Sequence, residues 1–151
     1  MMKDSADPHD FDRRGWMSLL AKARPDALRR LFPDLPDAGL MRAPEIGAVM
    51  VQGRIGGVGA PFNLGEMTVT RCSVQTEIGA VGHAYVQGRD KDHALRAAII
   101  DALMQTDRQD EIRDRVLVPL AAEAMEARAL RAGKAAATKV DFFTMVRGED
   151  K

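Results

Sequence analysis

The stretch Asp90 to Gln105, DKDHALRAAIIDALMQ, constrains the fold of this chain more than any other. Asp90 suits a helix N-cap, and Leu95, Ile99, Ala102 and Leu103 make a broad apolar stripe behind it. Ala94, Ala97, Ala98, Ile100 and Met104 fill most of the remaining positions. A helix that is apolar nearly all round has to be covered on more than one side. The segments before it supply the cover. Ile46–Gln52 (IGAVMVQ), Glu66–Thr76 (EMTVTRCSVQT) and Gly79–Gln87 have the length and the Val/Thr content of strands. In the second, Met67 and Val69 point one way and Cys72 and Val74 the other, which predicts a bulge near Arg71. Ile78-Gly79 reads as a tight reversal, so the three strands form an up–down–up antiparallel meander.

The flanks are helical. Trp16, Leu19, Leu20 and Ala23 share one face of a helix starting near Asp12, and Pro25 opens a second short turn carrying Leu28, Leu31 and Phe32. Phe32–Gly39 (FPDLPDAG) is a connector. Thr106 to Asp114 reads as a charged connector, Pro119 as a break, and Leu120 to Lys139 as an alanine-rich helix. Val140–Val146 (VDFFTMV) is an extended apolar end, either a fourth strand of the sheet or a segment that docks on another subunit. The fold class is therefore α+β: a meander of three to four strands packed with a buried helix, N-terminal helices and an alanine-rich C-terminal one. Residues 1–10 are expected to be a loose tail and 11–151 one domain.

The tetrapeptide VQGR occurs twice, at Val51–Arg54 and Val86–Arg89. In a meander the first and third strands run the same way. Both arginines would then leave one edge of the sheet, starting about 10 Å apart at a strand spacing of about 4.8 Å. The glycine-rich loop with Gly56 and Gly57, and the helix start with Asp90 and His93, belong to that edge as well. Arginine forks, a helix N-terminus and glycines that admit close backbone approach make an anion seat. The plainer reading is that Gly53 and Gly88 let strands turn and the arginines are solvated. GRIGGVG lacks the Lys-Ser/Thr of a nucleotide P-loop.

Other chemistry is thin. His93 reads as an exposed histidine of the cap region, His83 as a histidine packed on a sheet face, and Cys72 as a small buried residue. Glu66 and Glu77 mark solvated strand ends. No metal set or nucleophile–base constellation assembles. One cysteine holds neither a disulfide nor an iron–sulfur cluster. Lys plus Arg and Asp plus Glu balance at 22 each, which disfavours a nucleic-acid binder. Neither a signal peptide nor a membrane-spanning run is visible, so a cytoplasmic protein is expected. Ala80, Gly82 and Ala84 leave a smooth strand face on which another backbone can lie closely. With Phe142, Phe143, Met145 and Val146 crowded at the end of an aromatic-poor chain, this suggests absent neighbours.

The blocks GWMSLLAKA (15–23), VQGRIGGVGAPFNLGEMTVTRCSV (51–74), AYVQGRDKDHALRAAIIDALMQ (84–105) and KVDFFTMVRG (139–148) resemble, in order and spacing, the PhnG family. That family is a subunit of the bacterial carbon–phosphorus lyase core complex. The resemblance implies phosphonate catabolism: with H, I and L proteins, displacement of adenine from ATP by an alkylphosphonate to give a ribose 1-phosphonate 5-triphosphate. It further implies H, I and J subunits as partners and an ATP-binding-cassette-type protein of the same system. The iron–sulfur cluster with S-adenosylmethionine would belong to another subunit, leaving no cofactor on this chain. The family supplies no catalytic residue to transfer. Against this stand an independent small enzyme that uses His93 and the arginines on a phosphate ester, and an inert homo-oligomeric binding domain.

Overall fold

A computed structural model describes residues 11–140. Helix α1 (Arg13–Lys22) is capped by Asp12, whose Oδ1 accepts from Gly15 N–H at 2.6 Å, and α2 (Pro25–Leu31) opens on Pro25. Three strands follow, β1 (Ala38–Arg54), β2 (Pro61–Thr76) and β3 (Val81–Gln87), then α3 (Lys91–Leu103). A short α4 (Gln109–Ile112) passes through one π-type turn into α5 (Val118–Ala137). The sheet order is β1-β2-β3, antiparallel throughout, which is the expected meander.

Strand alternation sets the layers. Thr70, Cys72 and Val74 of β2 and Gly82, Ala84 and Val86 of β3 are buried on the face that α3 covers. Gly82 explains how closely the layers meet. A Cβ there would stand 2.6 Å from Ala102 N and 2.9 Å from Ala102 Cβ, and would overlap the Ala98 carbonyl oxygen. The backbone expected against this smooth strand is thus the protein's own α3. The helix is enclosed as its composition requires, with Ala94, Ala97, Ala98, Ile99, Ile100, Ala102 and Leu103 all buried. Cys72 lies in the core, where burial raises its thiol pKa.

One charge is buried on α3. Asp101 accepts from Arg13 Nε at 3.2 Å and Nη2 at 2.9 Å, from Trp16 Nε1 at 2.8 Å and from the His83 backbone N–H at 2.9 Å. The carboxylate ties α1, α3 and the open edge of β3 together, and the Arg13 pKa is raised by its bond to Asp101. Buried charge persists where hydrogen bonds replace its lost hydration.

Several boundaries differ from expectation. Strand β1 is 17 residues long and starts at Ala38, eight residues before the expected Ile46, taking in the end of the Phe32–Gly39 connector. The bulge near Arg71 lies on β1 rather than β2: between Arg42 (opposite Ser73) and Glu45 (opposite Arg71), Ala43 and Pro44 face one residue, and β2 pairs with β3 without a slip; a separate shift at Val51/Gln52 leaves Leu64 as an extra residue on β2. Proline, lacking an N–H, fits such a site. The glycine-rich segment is mostly strand. It turns at Ile55–Gly57 and re-enters the ladder at Pro61. The charged connector is mainly helical, because Ile112, Val116, Leu117 and Leu120 recur on one buried side. Pro119 breaks nothing; it occupies the first turn of α5, where no N–H is required.

Candidate functional site

The start of α3 is closed by the protein's own charges. Asp90 Oδ1 accepts the His93 N–H at 3.0 Å, which confirms the cap. Arg29, projecting from α2, bonds Asp90 at 2.6 Å and Asp92 at 2.9 Å. Arg96 reaches back to Asp92 at 2.9 Å and to the carbonyls of Phe32 and Pro33. Partial burial opposes the charge on Asp92, but the bonds from Arg96 and Arg29 outweigh it and hold the carboxyl below its ordinary value. Two carboxylates therefore complement the positive end of the helix, where an open anion seat was expected.

His93 is not an exposed cap residue. It is 1% exposed, with Nε2 2.8 Å from the Leu20 carbonyl oxygen, and burial lowers its pKa. Bonded to a carbonyl, Nε2 carries the hydrogen and Nδ1 is an acceptor, without a partner among the described residues. The side chain points into the interface between α1 and α3. His83 is also placed otherwise than expected. It stands on the exposed sheet face with Nδ1 2.8 Å from Ser73 Oγ, beside Arg71, which is bonded to Glu45. Among the described residues no carboxylate bonds its ring, as the third member of a Ser-His-Asp relay would.

The two VQGR sequences share letters and not conformation. Gly88 has φ +93° and turns the chain from β3 into α3, whereas Gly53 lies within β1 against the ring of Phe62. Gly88 N–H donates to the Thr68 carbonyl, which puts Arg89 near the level of Met67. Arg54 is opposite Pro61. Six residues of strand at about 3.3 Å each separate those levels, so the arginines start about 20 Å apart along the sheet. They leave in one direction but do not form the expected rim. Arg54 Nη1 donates to the Gly59 carbonyl at 3.2 Å, and Arg89 is exposed. Gly56 (φ +62°) and Gly57 (φ +80°) shape the turn beside Arg54.

What the displacement creates is an arm. Strand β3 pairs with β2 only over Val69–Gln75, so residues 48–68 run beyond the body as a two-stranded ribbon. Its faces differ: Val49, Val51, Phe62, Leu64 and Met67 share one, whereas Met50 shares the other with Thr68, Glu66, Gln52, Asn63 and Arg54. Met50 is 54% exposed on one, Phe62 40% and Leu64 67% on the other, with Ile55 at 68% and Val58 at 91% on the tip. Only Arg54 and Glu66 are charged among these 21 residues, against 44 in the 151 of the chain. Sequence reading missed the arm because its glycines suggested a loop. The signal was present in GAVMV (47–51), a continuous apolar run of the kind found in strands buried on both faces. Helix α5 is bare in a similar way, with Leu120 buried and Met125 and Leu130 exposed. Phe142, Phe143, Met145 and Val146 lie outside the described residues.

Residues 11–148 match the family model described as "Phosphonate metabolism protein PhnG". The chain belongs to the PhnG family. It is 44% identical over 155 aligned residues to the alpha-D-ribose 1-methylphosphonate 5-triphosphate synthase subunit PhnG of Rhizobium meliloti (strain 1021), covering 98% of this chain and 97% of that protein. For this PhnG-family chain, no group of three or more His, Cys, Asp or Glu side chains is placed to hold a metal ion among the described residues. Nor is any helix among them long and apolar enough to cross a membrane.

Proposed function

We propose that this chain is a non-autonomous subunit of the enzyme complex that displaces adenine from ATP with an alkylphosphonate, giving ribose 1-phosphonate 5-triphosphate. Its partners in this reading are the H, I and J subunits, with an ATP-binding-cassette-type protein of the same system. The iron–sulfur and S-adenosylmethionine chemistry is carried by another subunit. The relative's name, a subunit of a methylphosphonate triphosphate synthase, supports the reaction class. The observation that supports the subunit role is the arm of residues 48–68, whose apolar face with Phe62 and Leu64 and whose tip with Ile55 and Val58 a free enzyme would leave in water. A stand-alone phosphate-ester enzyme built on His93 finds no support, since that ring is buried and bonded to Leu20.

The test is reconstitution. The G, H, I and L proteins are co-expressed, purified and supplied with ATP and methylphosphonate, and adenine release is followed with and without this chain. Release that depends on the chain is expected. Release at an unchanged rate in its absence, or by this chain alone, overturns the proposal.

A further inference from the structure

We propose that the outer edge of β1, residues 46–50, receives a strand of a different subunit that pairs with it backbone to backbone. This rests on the subunit role above and names the surface that performs it. The register shows which backbone groups are on offer. Gly88 N–H donates to the Thr68 carbonyl at 3.0 Å, so Thr68 turns its backbone groups toward β3, and its neighbours Met67 and Val69 turn theirs toward β1. Their partners Val49 and Gly47 are bonded to β2. Ile46, Ala48 and Met50 alternate with these and therefore point their N–H and C=O groups away from the sheet. No hydrogen bond among the described residues reaches those groups.

Edge strands are ordinarily guarded by charge, proline or a bulge. The base of β1 has all three, as Arg42, Glu45 and the Ala43-Pro44 bulge. At the start of β3, Asp101 accepts the outward His83 N–H at 2.9 Å and Gln105 donates to the Val81 carbonyl at 2.8 Å. Ile46–Met50 has none of these guards. It lies between the bulge and the shift at Val51/Gln52, in unbroken register with Thr70–Glu66, and about five residues is an ordinary strand length.

The unlike faces of the arm set the chemistry of the incoming strand. Its residues opposite Gly47 and Val49 join the apolar face of Val51, Met67 and Phe62. Those opposite Ile46, Ala48 and Met50 join the face of Thr68 and Glu66. A Cβ at Gly47 would have nothing within 4 Å, so the residue opposite has room for a large apolar side chain. The occupant thus alternates apolar and polar. The chain's own Val140–Val146 does not: VDFFTMV sets Phe142 on one side and Phe143 and Met145 on the other. A second copy is also a poor fit. Two β1 edges paired about a two-fold axis would contribute these few residues each, against about 20–30 a side in a stable interface. A subunit held elsewhere in the complex needs only to add this contact.

The experiment uses the tagged full chain co-expressed with the H, I and J proteins. Ala48→Pro removes one outward N–H and no bond to β2, so the isolated chain is expected to keep its far-ultraviolet spectrum and melting temperature. Co-purified partner should fall at least tenfold, while Ala48→Ser, which keeps the N–H, recovers partner at the wild-type level. A photo-crosslinking residue at Ala48 of the otherwise unchanged chain should give an adduct with one partner subunit, whether or not the proline variant folds. Wild-type recovery by a folded Ala48→Pro, equal loss in both variants, or no adduct at Ala48 overturns the inference and leaves the subunit role standing. So does an adduct only between copies of this chain or with its own residues 140–146. Failure of the unaltered chain to co-purify with any partner removes the subunit role as well.

Discussion

Replacing Gly82 by alanine adds one methyl group between two layers that have no room for it. The new carbon would lie 2.6 Å from Ala102 N, which is 0.8 Å short of the 3.4 Å where ordinary contact begins, and it would overlap the Ala98 carbonyl oxygen. Both atoms belong to the backbone of α3, so no rotamer change relieves the clash. The helix must retreat from the sheet by most of an ångström. A gap of that size forfeits about a quarter to a half of each dispersion contact; over some 40 atom pairs at roughly 0.1–0.2 kcal/mol each, the loss is about 3 kcal/mol. That lies in the upper part of the range for overpacked cores and lowers the melting temperature by roughly 10 °C. Urea unfolding of the isolated chain measures it. Gly47→Ala is the control, because it sits in a strand with nothing within 4 Å and should change stability by less than about 1 kcal/mol. Equal effects of the two replacements would refute the packing of α3 on β3.

Asp101→Ala removes the common acceptor of Trp16, Arg13 and the His83 amide and should cost about 3 kcal/mol in urea unfolding, chiefly from the two buried donors. A loss under 1 kcal/mol would mean that the node carries no load. His93 is neutral in the folded chain because burial lowers its pKa below the ordinary 6.5. The unfolded chain therefore takes up the proton first, so stability is full above about pH 6.5 and falls as the pH drops below it. Melting temperatures from pH 8 to 5 should show this decline, and His93→Gln should lose that part of it. The paired Asp92 carboxyl acts in the same direction only below about pH 4. For Arg54→Ala and Arg89→Ala, a separation of about 20 Å predicts additive effects on partner recovery, within about 0.5 kcal/mol in a double-mutant cycle. A larger coupling would indicate a shared ligand and contradict the register described above.

The elements with a strong local pattern were legible. Asp90 with its apolar sequel gave α3 and its cap, Asp12 and Trp16 gave α1, and Ile78-Gly79 gave the turn between β2 and β3. What failed depended on pairing over distance. Residues 38–45 carry no alternation and contain Pro44, yet β2 holds them as strand; Pro61–Gly65 is poor in strand formers and is strand because β1 lies opposite. Parallel direction alone made Arg54 and Arg89 neighbours, and only the register, which composition does not encode, sets them apart. His93 looked exposed because cap residues usually are. The packing of α1 over the start of α3 encloses it, and nothing local to Asp90–His93 states where α1 lies.

Hydrogen–deuterium exchange of the arm, in the isolated chain and in the assembled complex, tests the central claim most directly. A two-stranded ribbon without a packed face opens readily, so amides of residues 48–54 and 61–68 should exchange fast in the isolated chain. On assembly with the partner subunits, both strands should slow by at least tenfold while α3, already enclosed, changes little. An arm that exchanges equally fast in the assembled complex would contradict the account.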